Sequence, residues 1–152
     1  MQRFCGIDWR ELPSQFVKLA DGIGLRGTEL PDSVAFQLKA NRNRRLVVAL
    51  AVRALSGELV DAIKNADAVF FDGTFWSDDE LAAFREGAPS ALKTGHMPVQ
   101  RSLVVVSESH ARRKIYLHIN NTNPIFALKS PERQTLEAAG VTVGYDGLEF
   151  EL

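Results

Sequence analysis

The sequence contains very little cysteine, no long apolar run and almost no excess charge. Cys5 is the only cysteine, so no disulfide bond can form within the chain, which is typical of a reducing compartment. No stretch of about 18 apolar residues exists to span a membrane, and residues 1–8 lack the apolar core of a signal peptide. The net charge of -1 argues against nucleic acid or an anionic membrane as the main partner. We therefore expect a soluble, cytoplasmic protein.

The sequence also lacks the short motifs that identify many catalytic sites on their own. It contains no HxH, HExxH or CxxC pattern, no Walker loop and no GxSxG motif. A non-haem iron site uses about two histidines and one carboxylate. Here such a site could form only if the fold brings distant residues together. At 152 residues the chain is long enough to be one domain with a substantial core.

Hydrophobic patterning predicts an α/β domain in which strands alternate with short helices. The expected strands are residues 34–40, 46–52, 68–71 and 114–119. The expected helices are residues 56–65, a helix that starts at 77, and residues 131–139. Residues 99–108 fit either a helix or a strand, and residues 141–152 predict a terminal β-hairpin. Residues 1–30 are poorly defined, because Pro13 and the glycines at 22, 24 and 27 divide them into turns.

Two polar residues lie at the ends of predicted strands. Asp72 follows the buried strand 68–71, and His118 lies near the end of strand 114–119. Ligands of α/β sheets usually bind at the carboxyl ends of the strands, so both residues are candidates for a site. Asp72 can be a metal ligand or a general base, or it can cap the turn that follows it. His118 can be a ligand, or a core histidine that bonds a neighbouring carbonyl.

Several other polar residues surround these two. Asn120, Asn121 and Asn123 follow His118 closely; they can form the outer hydrogen bonds that fix a ligand's tautomer, or they can be turn residues. His96 follows Gly95, whose backbone freedom could aim the imidazole ring.

The remaining polar candidates are assigned structural or surface roles. His110 lies in a charged connector and is expected at the surface. Ser77 and Glu80 have the spacing of a capping box, in which each side chain bonds the other's backbone N–H, so we assign them a structural role.

The longest motifs resemble one family. FDGTFWSDDE at residues 71–80 and HINNTNP at residues 118–124 are similar to motifs of the coenzyme PQQ synthesis protein B family. The Gly-His-Met at 95–97 and the shorter motifs SPER and YDG further on fit the same order. This family belongs to the metallo-β-lactamase-fold superfamily. The resemblance is strong from about residue 66 to the end, and weaker but in register over residues 9–65.

The resemblance implies a metal site and its ligands. In the superfamily an aspartate at a strand end binds metal, and Asp72 matches this position. The last metal-binding histidine follows a later strand, and His118 matches it. His96 matches a family histidine that lines the active site, which makes it the candidate catalytic residue. The implied metal is iron or zinc.

The resemblance also implies a fold and a missing partner. Residues 1–152 are similar to the C-terminal half of an αβ/βα sandwich, with a mixed sheet, flanking helices and a C-terminal hairpin. The earlier half of the family protein, with its His/Asp-x-Asp-His ligand cluster and a cysteine-rich zinc site, is not matched. One half alone is expected to expose an apolar sheet face. An N-terminal half chain or a second copy of this chain would cover that face.

The implied function is biosynthesis of pyrroloquinoline quinone (PQQ). Family members have been interpreted as metal-dependent oxygenases that hydroxylate the tyrosine-derived part of a small, peptide-derived PQQ precursor. They have also been interpreted as carriers that transport PQQ or its precursor toward the periplasm. Because the first ligand cluster is not matched, the sequence leaves open whether this chain is an enzyme, a carrier or a non-catalytic, truncated remnant.

Overall fold

The fold is built on one mixed sheet of seven strands. The computed structural model of the protein describes residues 2–4, 7–9, 15–30 and 33–151. The strands are β1 (Gln2–Phe4), β2 (Ile7–Trp9), β3 (Val17–Ala20), β4 (Ile23–Leu30), β5 (Ser33–Lys39), β6 (Arg45–Ala49), β7 (Ala68–Asp72), β8 (Arg113–Leu117) and β9 (Thr142–Val143). The helices are α1 (Gly57–Lys64), α2 (Val99–Ser107) and α3 (Pro131–Ala138). Strands β1 and β2 pair separately from the main sheet.

The strand order of the main sheet is β3-β4-β5-β6-β7-β8-β9. Neighbours from β3 to β6 are antiparallel, and neighbours from β6 to β9 are parallel. Each parallel pair is connected by one helix, and each crossover moves in the same direction across the sheet. Since such crossovers are right-handed, all three helices lie on one face. The predicted α/β class, mixed sheet and flanking helices are confirmed.

Helices α1 and α3 begin where the sequence predicts them. The Ser56 hydroxyl accepts the backbone N–H of Leu59 at the start of α1, and the Ser130 hydroxyl accepts that of Arg133 at the start of α3. Residues 99–107, ambiguous from pattern alone, form α2. No helix in the ranges that the structure describes is long and apolar enough to cross a membrane.

The main core lies between the helices and the sheet face that they cover. Its sheet side is formed by Ala35, Val47, Ala49, Val69, Phe71 and Tyr116. Its helix side is formed by Leu59, Ile63, Val99, Val106 and Leu136. Full burial of one such side chain contributes about 1.5–3 kcal/mol, so this layer holds the parallel strands and the site at their ends.

The opposite sheet face is apolar, and in the described residues most of its side chains are half-buried or exposed. Phe36, Val48 and Phe70 are cross-strand neighbours on this face, and Phe36 is 40% exposed. Six side chains define this surface, which we call the apolar face: Leu25, Val34, Phe36, Leu38, Leu46 and Val48. An apolar surface of this kind usually marks an interface, as expected for one layer of a sandwich.

Two predictions for the ends of the chain are wrong. Residues 17–30 form β3 and β4. Gly22 lies in the turn between them, as predicted, but Gly24 and Gly27 lie inside β4. Pro13 is outside the described residues. Residues 148–151 form no strand; instead β9 pairs parallel with β8. No terminal hairpin forms because the last segment turns back over the sheet, where the ring of Phe150 packs edge-on against Phe70 with centroids 5.4 Å apart.

The helix predicted from Ser77 is also wrong. Only a single 3-10 turn forms, at Glu80–Ala83, and Phe84, expected on its buried side, is 67% exposed. The Glu80 side chain is buried instead. The hydrogen bonds of the buried Glu80 carboxyl group therefore determine the conformation of this segment.

Candidate metal centre

Three residues that are far apart in the sequence come together at the carboxyl ends of β7 and β8. Asp72, His96 and His118 each offer one possible ligand atom, and these atoms lie within 4.8 Å of one another. They include both candidate ligands and the candidate catalytic residue of the sequence analysis. One carboxylate and two imidazoles are the donor set expected of a non-haem iron site.

The carboxyl group of Asp72 is completely buried and fully hydrogen-bonded. Its Oδ2 accepts the backbone N–H of Val52 at 3.0 Å and contacts Nδ1 of His96 at 2.9 Å. Its Oδ1 accepts both the hydroxyl of Thr74 at 2.6 Å and the backbone N–H of Thr74 at 3.3 Å. A carboxylate has about four acceptor positions, and all are used, so a metal bound by Asp72 would replace one of these contacts. Asp72 thus both caps its turn and contacts the candidate site.

Gly73 allows the loops after β7 and β8 to approach closely. A β-carbon at this position would lie 2.5 Å from Cδ1 of Ile119 and 2.9 Å from Cβ of Tyr116. The backbone N–H of Gly73 donates to the carbonyl of Leu117 at 2.8 Å. Only glycine fits between these loops, and the close approach brings Asp72 and His118 to the same place.

His96 enters the site from the loop before α2. Gly95 has a φ of 92°, a left-handed conformation that glycine adopts at little cost. The ring of His96 is mostly buried and packs edge-on against Phe75, with centroids 5.9 Å apart. Contact with the Asp72 carboxyl places His96 in the same group of side chains as Asp72 and His118.

His118 is the first residue after β8, one position beyond the end of the strand. Its φ of 58° is left-handed, which costs a non-glycine residue about 1–2 kcal/mol. Its Nδ1 lies 3.6 Å from Oδ1 of Asp72, and its side chain is 53% exposed. Backbone strain of this kind is concentrated at functional sites, and here it accompanies a ring directed at a buried carboxyl.

The asparagines after His118 hold the backbone of the two loops. Asn123 donates to the carbonyls of Gly73 and Thr74 at 2.8 and 3.4 Å. The backbone N–H of Asn120 donates to the carbonyl of Thr74, and its side chain donates to the hydroxyl of Thr122. Asn121 is exposed. Among the described residues, Thr74 is the hydrogen-bond partner of the His118 ring. The asparagines therefore position this ring indirectly, by holding the backbone of its loop.

Glu80 joins the same two loops, and the capping-box prediction for it is wrong. Its buried carboxyl accepts the backbone N–H of Trp76 at 2.6 Å and the hydroxyl of Thr122 at 2.5 Å. The hydroxyl of Ser77 donates to Asp79 rather than capping Glu80. A capping box fails because Thr122, contributed by the loop after β8, draws the Glu80 side chain inward.

Sequence reasoning missed Thr74, Glu80 and Thr122. The hydroxyl of Thr74 contacts Asp72, His96 and His118 together. Its position two residues after the strand-end aspartate was the available signal for it. The sequence predicts only a helix cap for Glu80. His110, in contrast, is exposed and away from the group, as predicted.

The donor set fits a divalent metal with open coordination positions. Zinc and iron both accept imidazole and carboxylate ligands, and three protein donors leave room for water or substrate. The half-exposed ring of His118 places one side of the group at the surface. A substrate could therefore reach a metal held here.

Comparison with known proteins supports this interpretation of the fold. Residues 17–119 match the family model described as beta-lactamase superfamily domain. This chain belongs to the beta-lactamase superfamily. Two solved structures with low sequence identity share the superfamily fold: a diphosphatase from the PhnP family and YhfI of Bacillus subtilis, at TM-scores of 0.62 and 0.61 and 12% identity each.

Within the superfamily, the chain is similar to coenzyme PQQ synthesis protein B. It is 41% identical to that of Rhizobium meliloti over 137 residues, which are 88% of this chain and 45% of the relative. It is 44% identical to that of Cupriavidus taiwanensis over 93 residues, which are 59% of this chain and 30% of the relative. The resemblance inferred from the motifs is confirmed.

A solved relative extends the similarity to three dimensions. The crystal structure of Zn²⁺-bound PqqB from Methylobacterium extorquens has a TM-score of 0.83 and 28% identity, covering 92% of this chain and 50% of that one. The chain thus spans about half the length of the relatives that it matches. A metal-bound relative agrees with the metal centre inferred for this superfamily member.

Proposed function

We propose that this chain functions in PQQ biosynthesis and that Asp72, His96 and His118 form its metal centre. The observation that supports this most strongly is the convergence of three potential ligand atoms within 4.8 Å at the carboxyl edge of the sheet. The relatives named coenzyme PQQ synthesis protein B support the pathway. The proposed metal is iron, with zinc as the alternative.

The proposal assigns a role to each residue of the group. Asp72 and His118 bind the metal, as the strand-end positions of both residues suggest. His96 is the catalytic residue, held by Asp72 and Phe75, and its ring either completes the ligand set or faces the substrate. Bound iron would supply the O₂ activation needed to hydroxylate the tyrosine-derived part of a small PQQ precursor.

The proposed enzyme needs a second layer over the apolar face. Phe36 is 40% exposed there, and burial of apolar surface contributes about 25 cal/mol per Å², so a partner would stabilise the fold considerably. We propose that a second αβ layer packs here, as an N-terminal half chain; a second copy of this chain is the alternative occupant. Light scattering of the purified chain distinguishes the two, because only the second gives a homodimer.

The test of the proposed function is metal content after loading with iron(II) under anaerobic conditions. Wild type should bind near-stoichiometric iron, and the double variant Asp72→Ala/His118→Ala should bind none. His110→Ala is the matched control, because His110 is exposed and outside the group. Asp72→Asn/His118→Asn, which changes the shape of the site less, shows whether loss of metal follows from loss of ligands rather than from unfolding.

Variants of His96 separate its two possible roles. If His96→Ala loses iron, the ring is the third ligand; if it keeps iron and only hydroxylation fails, the ring faces the substrate. Iron content unchanged in the double variants would contradict the metal centre. Binding of PQQ by a chain that takes up no iron would instead favour the carrier function, and absence of both would favour a non-catalytic remnant.

A further inference from the structure

We infer that Thr74 is the positioning residue of this site. Its hydroxyl holds the rings of His96 and His118 with the proton on Nδ1, which leaves Nε2 of each ring free to act as ligand or base. The tautomer part of this inference concerns the metal-free protein. The metal part rests on the proposed function.

The hydroxyl of Thr74 lies at the centre of the group. Its Oγ1 is 2.6 Å from Oδ1 of Asp72, 3.0 Å from Nδ1 of His96 and 2.9 Å from Nδ1 of His118. These contacts join three chain segments, since His96 is 22 residues and His118 is 44 residues away in the sequence. The two imidazole rings themselves lie 5.3 Å apart between centroids.

The number of protons and lone pairs determines the direction of each hydrogen bond. A carboxylate can only accept, so the single hydroxyl proton of Thr74 goes to Asp72, at the shortest of the three distances. The oxygen then has two lone pairs left and two ring nitrogens in contact with it. Both nitrogens must donate, so each neutral ring carries its proton on Nδ1. Nδ1 of His96 can share its proton with Oδ2 of Asp72 at 2.9 Å.

The backbone of Thr74 is held by hydrogen bonds to both its N–H group and its carbonyl group. Its backbone N–H donates to Asp72, and its carbonyl accepts from the backbone of Asn120 and the side chain of Asn123. The side chain is buried. A hydroxyl on a fixed backbone therefore orients both rings, and orientation of a ligand by its other ring nitrogen commonly changes metal affinity by about 10–100-fold.

Valine and serine at position 74 provide a matched pair. Thr74→Val keeps the branched shape and removes the hydroxyl, whereas Thr74→Ser keeps the hydroxyl and removes a methyl group. The first measurement is the tautomer of each histidine in metal-free, ¹⁵N-labelled chain by long-range ¹H–¹⁵N NMR. We expect Nδ1–H for His96 and His118 in wild type and in Thr74→Ser. In Thr74→Val we expect a shift toward Nε2–H for the exposed ring of His118, whereas Oδ2 of Asp72 still holds the proton of His96 on Nδ1.

The second measurement is the affinity for Zn²⁺ by competition with a chromophoric chelator. We expect Thr74→Val to bind about 10–100-fold more weakly than wild type, and Thr74→Ser to stay within a few-fold. Circular dichroism of the variants confirms that they are folded. If Thr74→Val does not fold, the wild-type tautomers and the serine variant still decide the inference.

Two results would overturn the inference. One is Nε2–H on either ring of the wild-type chain. The other is Zn²⁺ affinity in Thr74→Val that equals or exceeds that of wild type, which would mean that the hydroxyl competes with the metal for the same atoms. If wild type binds no Zn²⁺ and yet shows Nδ1–H on both rings, the proposed function fails while the positioning role of Thr74 stands.

Discussion

Strand β7 is flanked by an aspartate at each end, and the two carboxyl groups have opposite surroundings. Asp67, just before the strand, is 30% exposed, accepts the backbone N–H of Arg45 at 2.9 Å and pairs with the guanidinium of Arg44 at 2.7 Å. Asp72, at the other end, is 0% exposed. Its donors are two backbone amides, one hydroxyl and the imidazole of His96.

The difference distinguishes an ion-paired carboxylate from a candidate metal ligand. The backbone N–H of Arg45 and the side chain of Arg44 lower the pKa of Asp67. The negative charge of this carboxylate is therefore already balanced by the guanidinium of Arg44. A hydroxyl and an imidazole around Asp72 are partners that can rearrange around a metal. The carboxyl ends of parallel strands are where α/β folds bind ligands, and this sheet has its polar group at that edge and an ordinary ion pair at the other.

The largest effect is expected for Asp72→Ala. It should abolish metal binding and lower the free energy of unfolding by about 2–4 kcal/mol, because buried donors lose their acceptor. Urea unfolding and metal content measure the two effects. Asp67→Ala is the control at the other end of the strand. Equal losses of metal in both variants would erase the distinction between the two ends.

His118→Asn should abolish metal binding but leave stability almost unchanged. Asparagine tolerates the left-handed backbone found at this position, where φ is 58°, and the side chain is half exposed. The free energy of unfolding should therefore change by about 0.5 kcal/mol or less. Metal content with urea unfolding checks this, and a large loss of stability would mean that His118 has a packing role instead.

Glu80→Gln should have an intermediate effect. Trp76 and Thr122 donate to different oxygens of Glu80, and glutamine replaces one of these oxygens with an NH₂ group that cannot accept. We expect a loss of about 1–3 kcal/mol in unfolding free energy and weaker metal binding through the loosened loops. Glu137→Gln, on the exposed side of α3, is the control. No difference between the two would show that the Glu80 bridge is unimportant.

The smallest effect is expected for Asp67→Asn. A partly exposed ion pair of this kind contributes about 1 kcal/mol, and metal binding should not change. Because the folded state lowers the pKa of Asp67, its contribution is present above the ordinary aspartate pKa of about 3.9 and is lost as the pH falls through the lowered value. The stability difference from wild type should thus shrink in acid. A difference that grows in acid would contradict the lowered pKa.

The sequence was sufficient where the signal is local. Asp72 follows a buried run, and Ser56 and Ser130 precede helical patterns, so their positions could be read from adjacent residues. The contact of His96 with Asp72 could not be predicted from adjacent residues, because Gly95 indicates only that the backbone can turn at this point. The resemblance to a known family predicts that these residues share one site.

The features that the sequence did not predict depend on contacts between distant segments of the chain. Thr74 gains its role only because His96 and His118 are brought to its hydroxyl from other loops. Phe150 packs against the ring of Phe70 instead of forming the second strand of the predicted hairpin. Strand β4 was missed because Gly24 and Gly27 lower the strand signal, and pairing with β5 along its length overrides it.

The most direct test measures metal stoichiometry in wild type, Asp72→Asn and Asp67→Asn side by side after anaerobic iron(II) loading. The account predicts near one metal per chain in wild type and in Asp67→Asn, and almost none in Asp72→Asn. Metal retained by Asp72→Asn, or no metal in any of the three proteins, would contradict the claim that the carboxyl end of β7 carries a metal centre.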